Sequence, residues 1–263
     1  MRNIPDNNLA YPVFIKLDNG GTGSGFLLNA DDKMFLISAK HVFLDNQHNL
    51  IGSMTEIDCQ TQDINDDSIE RLLLDLSVIK ILAHPTSDVA AIHLGDIKEN
   101  TEKGNWTLHY INGVTQIQAG KSGTVNVNAK MATKRIKDVL ISNDVYLYGY
   151  PTSLGLKESP QFDFSKPLLR KGIVANIYKP QGTIILDCPS FPGNSGGPVV
   201  EVEQEGFQSN HKVIGIISQF IPYVQNWVNQ SNGLVNTELI NSGYSVSVSI
   251  DKVFETIDYD PDK

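Results

Sequence analysis

Cysteine is nearly absent. Cys59 and Cys188 are the only two in the chain, too few for a disulfide framework, and they point to a reducing, cytoplasmic setting. Positive charge is sparse as well. Against 30 Asp and Glu stand 21 Lys and Arg, a formal net charge of -9, which speaks against a phosphate-backbone partner because such binding rests on clustered cations. The densest basic stretch, KMATKRIKD at 130 to 138, is short and reads as a solvated connector. No apolar run approaches membrane-spanning length, and the opening MRNIPDNNLAYPVF has Pro, Asp and Asn where a secretory leader needs a continuous apolar core. Nucleic acid and membrane are therefore not expected as partners, and the chain reads as soluble and unexported. Internal repeats of fixed period and low-complexity tracts are missing too.

What the chain does have is apolar residues, 40% of the 263, enough for one large domain or two small ones with real cores. They come in short segments rich in Val, Ile, Phe and Tyr between turn-forming clusters, so the chain reads as mostly β. VFIKL (13 to 17) leads into GGTGSG, and FLLNA and MFLISA flank the polar DDK as the arms of a hairpin. Further strands are expected at LSVIKILA (76 to 83), DVAAIHL (88 to 94), DVYLYGYP (144 to 151), KGIVANIY (171 to 178), GTIILDC (182 to 188), GPVVEVE (197 to 203), KVIGIISQF (212 to 220) and GYSVSVSI (243 to 250). Many short strands suggest a barrel or sandwich. Two segments suit helices: NDDSIERLLLDL (65 to 76), and IDKVFETI (250 to 257) with Asp251 as its cap. Between about 96 and 143 the composition turns polar and strand signals thin out, which places a bridge between two halves there.

One stretch raises a chemical question. FPGNSGGPVV, 191 to 200, wraps a serine in three glycines and two prolines before an apolar strand. Read as structure alone, it is a tight strand connection in which glycine supplies positive φ. Read as chemistry, successive amides of such a turn point into one concavity that favours negative charge, and the N–H groups of Gly193 and Ser195 would hold an oxyanion formed when Ser195 attacks a carbonyl. A serine hydroxyl is a weak nucleophile near neutral pH and needs a histidine base oriented by a buried carboxylate. Among six histidines His41 stands out, since ISAKHV puts it at the end of a strand beside the small Ser38 and Ala39. His48, His84, His93, His109 and His211 lack that setting and read as structural or solvent-facing. Asp88, in TSDVAAIHL, opens an apolar strand that would hold its carboxylate firmly, whereas Asp31, Asp32, Asp66 and Asp67 lie in polar company.

GSGFLL, SAKHV, SDVAAIHL, PGNSGGPVV and VIGIIS, in that order, resemble the trypsin-like serine peptidases of the chymotrypsin fold, from about residue 10 to residue 257. The look is nearest to bacterial Htr-type protease domains, although the chain ends too soon for the PDZ domain that accompanies them. The resemblance implies an all-β fold of two perpendicular six-stranded Greek-key β-barrels, 1 to 120 and 121 to 263, with a short C-terminal helix and the site between them. It implies a Ser195, His41 and Asp88 triad and an oxyanion hole of Gly193 and Ser195 amides. It also makes Ser218 a hydrogen-bond partner of Asp88, and Ser218, Gln219 and Phe220 the strand that pairs with an extended peptide substrate.

Two departures bear on control and specificity. Uncharged Asn194 precedes the serine where zymogen-activated relatives have an aspartate, and no R-I-V-G-G-like site is present, so activation by that route is not expected. Pro189 occupies the offset at which trypsin carries its specificity aspartate, so a small or medium apolar residue is expected before the cleaved bond. No metal or organic cofactor is called for. Two alternatives stay open: a protease that rests until an activating protein partner orders the glycine-rich loop, and a non-catalytic peptide-binding module on the same fold.

Overall fold

A computed structural model describes residues 6–63, 68–100, 105–152, 161–206 and 208–261. Most of the expected β segments do form strands, and they sort into two sheets. The first holds β1 (Pro12–Leu17), β2 (Thr22–Ala30), β3 (Lys33–Ser38), β4 (Met54–Gln60), β5 (Ile69–Asp75), β6 (Ile81–Ala83), β7 (Ala90–Asn100), β8 (Asn105–Tyr110), β9 (Val114–Gln118) and β10 (Val127–Asn128). Its order is β6-β7-β3-β2-β1-β4-β5-β9, with β8 on β7 and β10 on β2. The second is a closed barrel of β11 (Asp144–Gly149), β12 (Leu168–Tyr178), β13 (Thr183–Asp187), β16 (Val235–Ser249), β15 (Gln208–Val228) and β14 (Pro198–Glu205), in that spatial order. The helix α1 (Ile250–Ile257) follows directly. This is the all-β, chymotrypsin-like class expected, although the first sheet has ten strands, eight of them on an open path, where six in a barrel were expected.

Three apolar clusters account for the two lobes and their union. The first sheet curls over Ile15, Leu36, Ile57, Leu74 and Ile92, and the barrel closes around Val145, Leu147, Ile184, Leu186 and Ile214. A third cluster lies between the lobes. Phe26, Leu28 and Ile37 of the first sheet meet Tyr148, Val200 and Ile216 of the second, with Val253 and Phe254 of α1 against them. The face of α1 that carries these residues thus joins the lobes rather than serving one.

Several expectations are corrected. The segment 65 to 76 is not helical: within its described part, Ile69–Asp75 is β5, paired with β4 and β9, with Leu72 and Leu74 turned inward. Arg71 faces Asp58 across the β4–β5 pair at 2.6 Å, and a cross-strand partner of this kind cannot be seen in a local window. Of LSVIKILA only Ile81–Ala83 is strand, the part before it being a turn. The bridge begins later than 96, because β7, β8 and β9 are strands of the first sheet, and the chain crosses to the second over 129–143. Ser249, not Asp251, occupies the cap position of α1. Asp251 instead accepts the backbone N–H of Ile136 at 2.8 Å and pairs with Arg135. The basic stretch is a connector as expected, but not a wholly solvated one, since Lys134 is nearly buried against Glu201 at 2.7 Å and pairs with Glu203 as well.

Turn chemistry places the elements around the site. Asp31 and Asp32 both take positive φ, 47° and 59°, closing the β2–β3 hairpin with the turn that suits the strand twist. That hairpin ends at Ser38, three residues before His41. Among the described residues no helix is long and apolar enough to cross a membrane.

Candidate active site

The glycines of 191–197 answer a packing demand. Gly193 and Gly196 sit at φ 100° and 84°, which side chains rarely adopt. A Cβ on Gly196 would lie 2.1 Å from Ser38 Oγ and 2.2 Å from Ser24 O, both in the first lobe. One on Gly193 would lie 2.2 Å from Tyr150 O. The loop is therefore wedged against its surroundings with no room for a side chain at Gly193 or Gly196. Asn194 closes the turn from inside: its Oδ1 accepts the N–H of Phe191 at 3.0 Å and its carbonyl accepts that of Gly197 at 2.9 Å.

Ser24, in the GSG of β2, anchors this loop to the first lobe. Its backbone N–H donates to Ser195 O at 2.8 Å, and its hydroxyl donates to Gly193 O at 2.6 Å while accepting the N–H of Tyr150 at 2.9 Å. Ser38 in turn donates to Ser24 O at 2.7 Å. All of this is buried. The glycine-rich loop is thus held by two hydrogen bonds from Ser24 of the first lobe, and a third ties Ser24 to Tyr150 of the second.

His41 lies on a single turn of 3-10 helix after β3 (Lys40–Val42), and Asp88 in the loop before β7. Asp88 Oδ1 accepts the backbone N–H of His41 at 3.1 Å, and Oδ2 takes the ring Nδ1 at 2.8 Å. A carboxylate only accepts, so Nδ1 carries the proton and Nε2 is left as the lone-pair nitrogen of the neutral ring. Ser218, on β15 of the other lobe, donates its hydroxyl to the same Oδ2 at 2.6 Å. Burial pushes the Asp88 carboxyl up. The hydrogen bonds and charge of His41, together with the Ser218 bond, outweigh that and hold it below the ordinary carboxylate value.

Ser195 shares a cleft of about 690 Å³ with His41, Asp88, Ser190, Gln219 and Phe220. Its hydroxyl donates a long bond, 3.4 Å, to the carbonyl of Ser218, and no bond from it to His41 occurs among the described residues. The N–H groups of Gly193 and Ser195 have no acceptor among the described residues either. Ser195 lines the cleft, while Gly193, also singled out by sequence, is buried and is not among the lining residues. No cluster of three or more His, Cys, Asp or Glu side chains suited to a metal occurs among the described residues.

Of the residues singled out by sequence, His41, Asp88, Ser195, Ser218, Gln219 and Phe220 converge on this cleft. Pro189 does not line it. Cys188 turns into the barrel core at the end of β13, so its neighbour faces away, and Ser190 reaches the cleft instead. His84, expected to be structural or solvent-facing, is structural. It is buried, and its Nδ1 accepts the N–H groups of Thr86 at 3.2 Å and Ser87 at 2.8 Å. Its Nε2 lies 3.0 Å from Glu255 of α1. This ring shapes the loop that presents Asp88, a role signalled in sequence only by its place four residues ahead. Ser24 was also missed as a functional residue, although its GSG belongs to the quoted motif. Cys59 and Cys188 are free and buried, and burial raises both thiols, Cys188 to about 11, so neither is a ready nucleophile.

The family model of the trypsin-like peptidase domain matches residues 23–216. No curated protein matches the chain.

Proposed function

The chain belongs to the family of trypsin-like peptidase domains, and we propose that it is a serine endopeptidase acting through Ser195, His41 and Asp88 by way of an acyl-enzyme. One observation carries the reading: a single carboxylate, Asp88, fixes both the backbone and the ring of His41 and is itself held by Ser218 from the lobe that bears Ser195. That arrangement leaves His41 Nε2 as a base on the cleft that Ser195 lines.

In the proposed reaction His41 Nε2 takes the proton of Ser195 Oγ as the oxygen attacks a peptide carbonyl. The carbonyl oxygen becomes an anion, received by the N–H groups of Gly193 and Ser195, a contribution of about 10²–10³ in rate for each donor. His41 then gives its proton to the leaving amine, and water, deprotonated by the same nitrogen, clears the acyl group and restores the Ser195 hydroxyl. Asp88 keeps Nδ1 protonated throughout and stabilises the imidazolium.

The Ser218 carbonyl gives this reading a substrate-dependent step. It now accepts the Ser195 hydroxyl at 3.4 Å, and it lies on the strand proposed to pair with substrate. A substrate N–H arriving at that carbonyl competes with the hydroxyl and frees it to turn toward His41. The same contact favours a second reading, in which a partner protein bound to this strand releases a resting enzyme. The two part on whether the purified chain alone cleaves peptides without a lag.

The test of the main reading is covalent. A fluorophosphonate should label wild-type protein at Ser195, label His41→Ala at a rate lower by about 10³ or more, and leave Ser195→Ala unlabelled. Labelling that is absent from the wild type under all conditions supports a peptide-binding module in place of an enzyme.

A further inference from the structure

The strand that borders the cleft does not stop at Phe220. β15 continues to Val228, turns through the polar Asn229–Gly233, and returns as β16 from Val235. From Pro222 outward this ribbon has left the barrel: β14 pairs with β15 only up to Ile216, and β13 pairs with β16 only at Tyr244–Val248. Over 223–228 the edge of β15 that faces away from β16 has no strand beside it among the described residues.

The ribbon also carries exposed apolar residues on both faces. Directly paired residues share a face, so Tyr223, Trp227 and Ile240 lie on one, and Val224, Val228, Val235 and Leu239 on the other. Six of these seven are more than half exposed. From Tyr223 to Ile240 the only charged residue is Glu238, in a chain that is 19% charged. Natural proteins guard a free edge with charge, proline or a cover, and the stretch from Tyr223 to Val228 has no charge or proline and, among the described residues, no strand covering it. A two-stranded ribbon is marginal in water by itself, and a third strand is what makes such a unit stable.

From this we propose that the free edge of Tyr223–Val228 is an extended substrate site. It would bind, by strand addition, an apolar, charge-poor segment of the protein substrate lying N-terminal to the scissile bond. The inference rests on the peptidase reading and deepens it by naming the kind of substrate. Continuity decides the occupant. Both existing neighbours of β15 are antiparallel to it, and a substrate strand added at Ser218–Phe220 in the same sense carries its N-terminal side away from Ser195 and out along the ribbon. From Phe220 to Val228 is about 25 Å of strand, room for about eight substrate residues beyond the cleft. The register shift between Phe220 and Pro222, the missing N–H of Pro222 and the Ile221 carbonyl already taken by Ser242 interrupt the ladder there. Pairing resumes at Tyr223, where alternate substrate side chains would pack against Tyr223 and Trp227 on one face and Val224 and Val228 on the other.

The experiment compares internally quenched peptides that share one cleavage site and carry either four or twelve residues before it, the longer extension alternating Val and Thr. The long peptide should show a KM at least about tenfold lower, as two or three apolar cross-strand pairs imply. The advantage should vanish when lysines replace the valines, and in the triple variant Tyr223→Ser, Val224→Ser, Trp227→Ser. Binding of both peptides to Ser195→Ala protein, followed by fluorescence titration, reads the same ratio without turnover. If neither peptide is cleaved but the long one still binds at least tenfold tighter, the peptidase reading fails and the extended site stands. Equal KM and equal binding for the two lengths overturn the site while cleavage upholds the peptidase. A ribbon that instead joins two copies of the chain, seen as a dimer in sedimentation that the triple variant dissolves with no change in the length ratio, overturns it too.

Discussion

Ser24 has one hydroxyl and two buried duties, donating to Gly193 O and accepting from Tyr150 N. Replacing it with alanine leaves both backbone groups without a partner in a site closed to water, each at a cost of about 1–3 kcal/mol. Ser24→Ala should therefore lower the melting temperature by roughly 5–15 °C, as expected for a chain of this size. It should also reduce kcat more than it raises KM, because the loop it releases carries the proposed oxyanion donors. A scanning-calorimetry measurement paired with peptide kinetics checks both, and an unchanged kcat in a destabilised variant would reduce Ser24 to a scaffold residue. The contrast with Ser195 shows what the sequence can mark. Ser195 sits in a string of residues whose composition is itself unusual, and His41 and Asp88 occupy their own short motifs. Ser24 looks like any serine in a strand, and Ser218 was marked only through the resemblance of VIGIIS. Their importance comes from partners 169 and 130 residues away, and separations of that size leave no local pattern.

At the scale of elements the same distinction recurs. Strands bounded by turn chemistry, such as the β2–β3 hairpin with its Asp31–Asp32 turn, were legible because the signal is local. β5 was not, because three consecutive leucines suit a helix as well as a strand and the pairing of Arg71 with Asp58 decides the matter from another element. The outer ribbon of β15 and β16 escaped notice because its polar and apolar residues mix on both faces, with no core to impose alternation. The loop 84–89 illustrates how an element can be shaped by one ring. His84 Nδ1 accepts two successive backbone N–H groups and so folds the turn that delivers Asp88 to His41. His84→Ala should relax this turn and cost roughly 10-fold to 10²-fold in kcat with little change in KM, since displacement of a positioning group is felt mainly in the reacting geometry. His84→Asn should recover part of the loss, because the amide oxygen can accept the same N–H groups. If alanine and asparagine behave alike, the ring acts by volume alone.

The whole molecule is two lobes that share an apolar seam and a small number of carboxylate ties, and the ties make the union sensitive to acid. Asp88 of the first lobe is bound to Ser218 of the second, and Glu255 of α1 is bound to His84 of the first. At both carboxyls burial acts upward and is outweighed: at Asp88 by His41 and Ser218, at Glu255 by Lys252 and His84, so that each titrates below its ordinary value. A carboxyl whose pKa is lower folded than unfolded stabilises the fold fully at neutral pH. The unfolded chain takes up its protons first as the pH drops below about 5, and the stabilisation shrinks until the folded groups are protonated as well. The melting temperature should accordingly be flat near neutrality and fall progressively between about pH 5 and pH 3. Glu255→Gln keeps a hydrogen-bond acceptor for His84 but cannot titrate. It should melt below the wild type at pH 7, and the gap should narrow toward pH 3, where the wild type has lost the same charge. Melting curves of the two proteins across that range decide the point. A gap that stays constant with pH would mean that the charge of Glu255 contributes nothing to holding α1 against the first lobe, leaving Val253 and Phe254 in the apolar seam to do it alone.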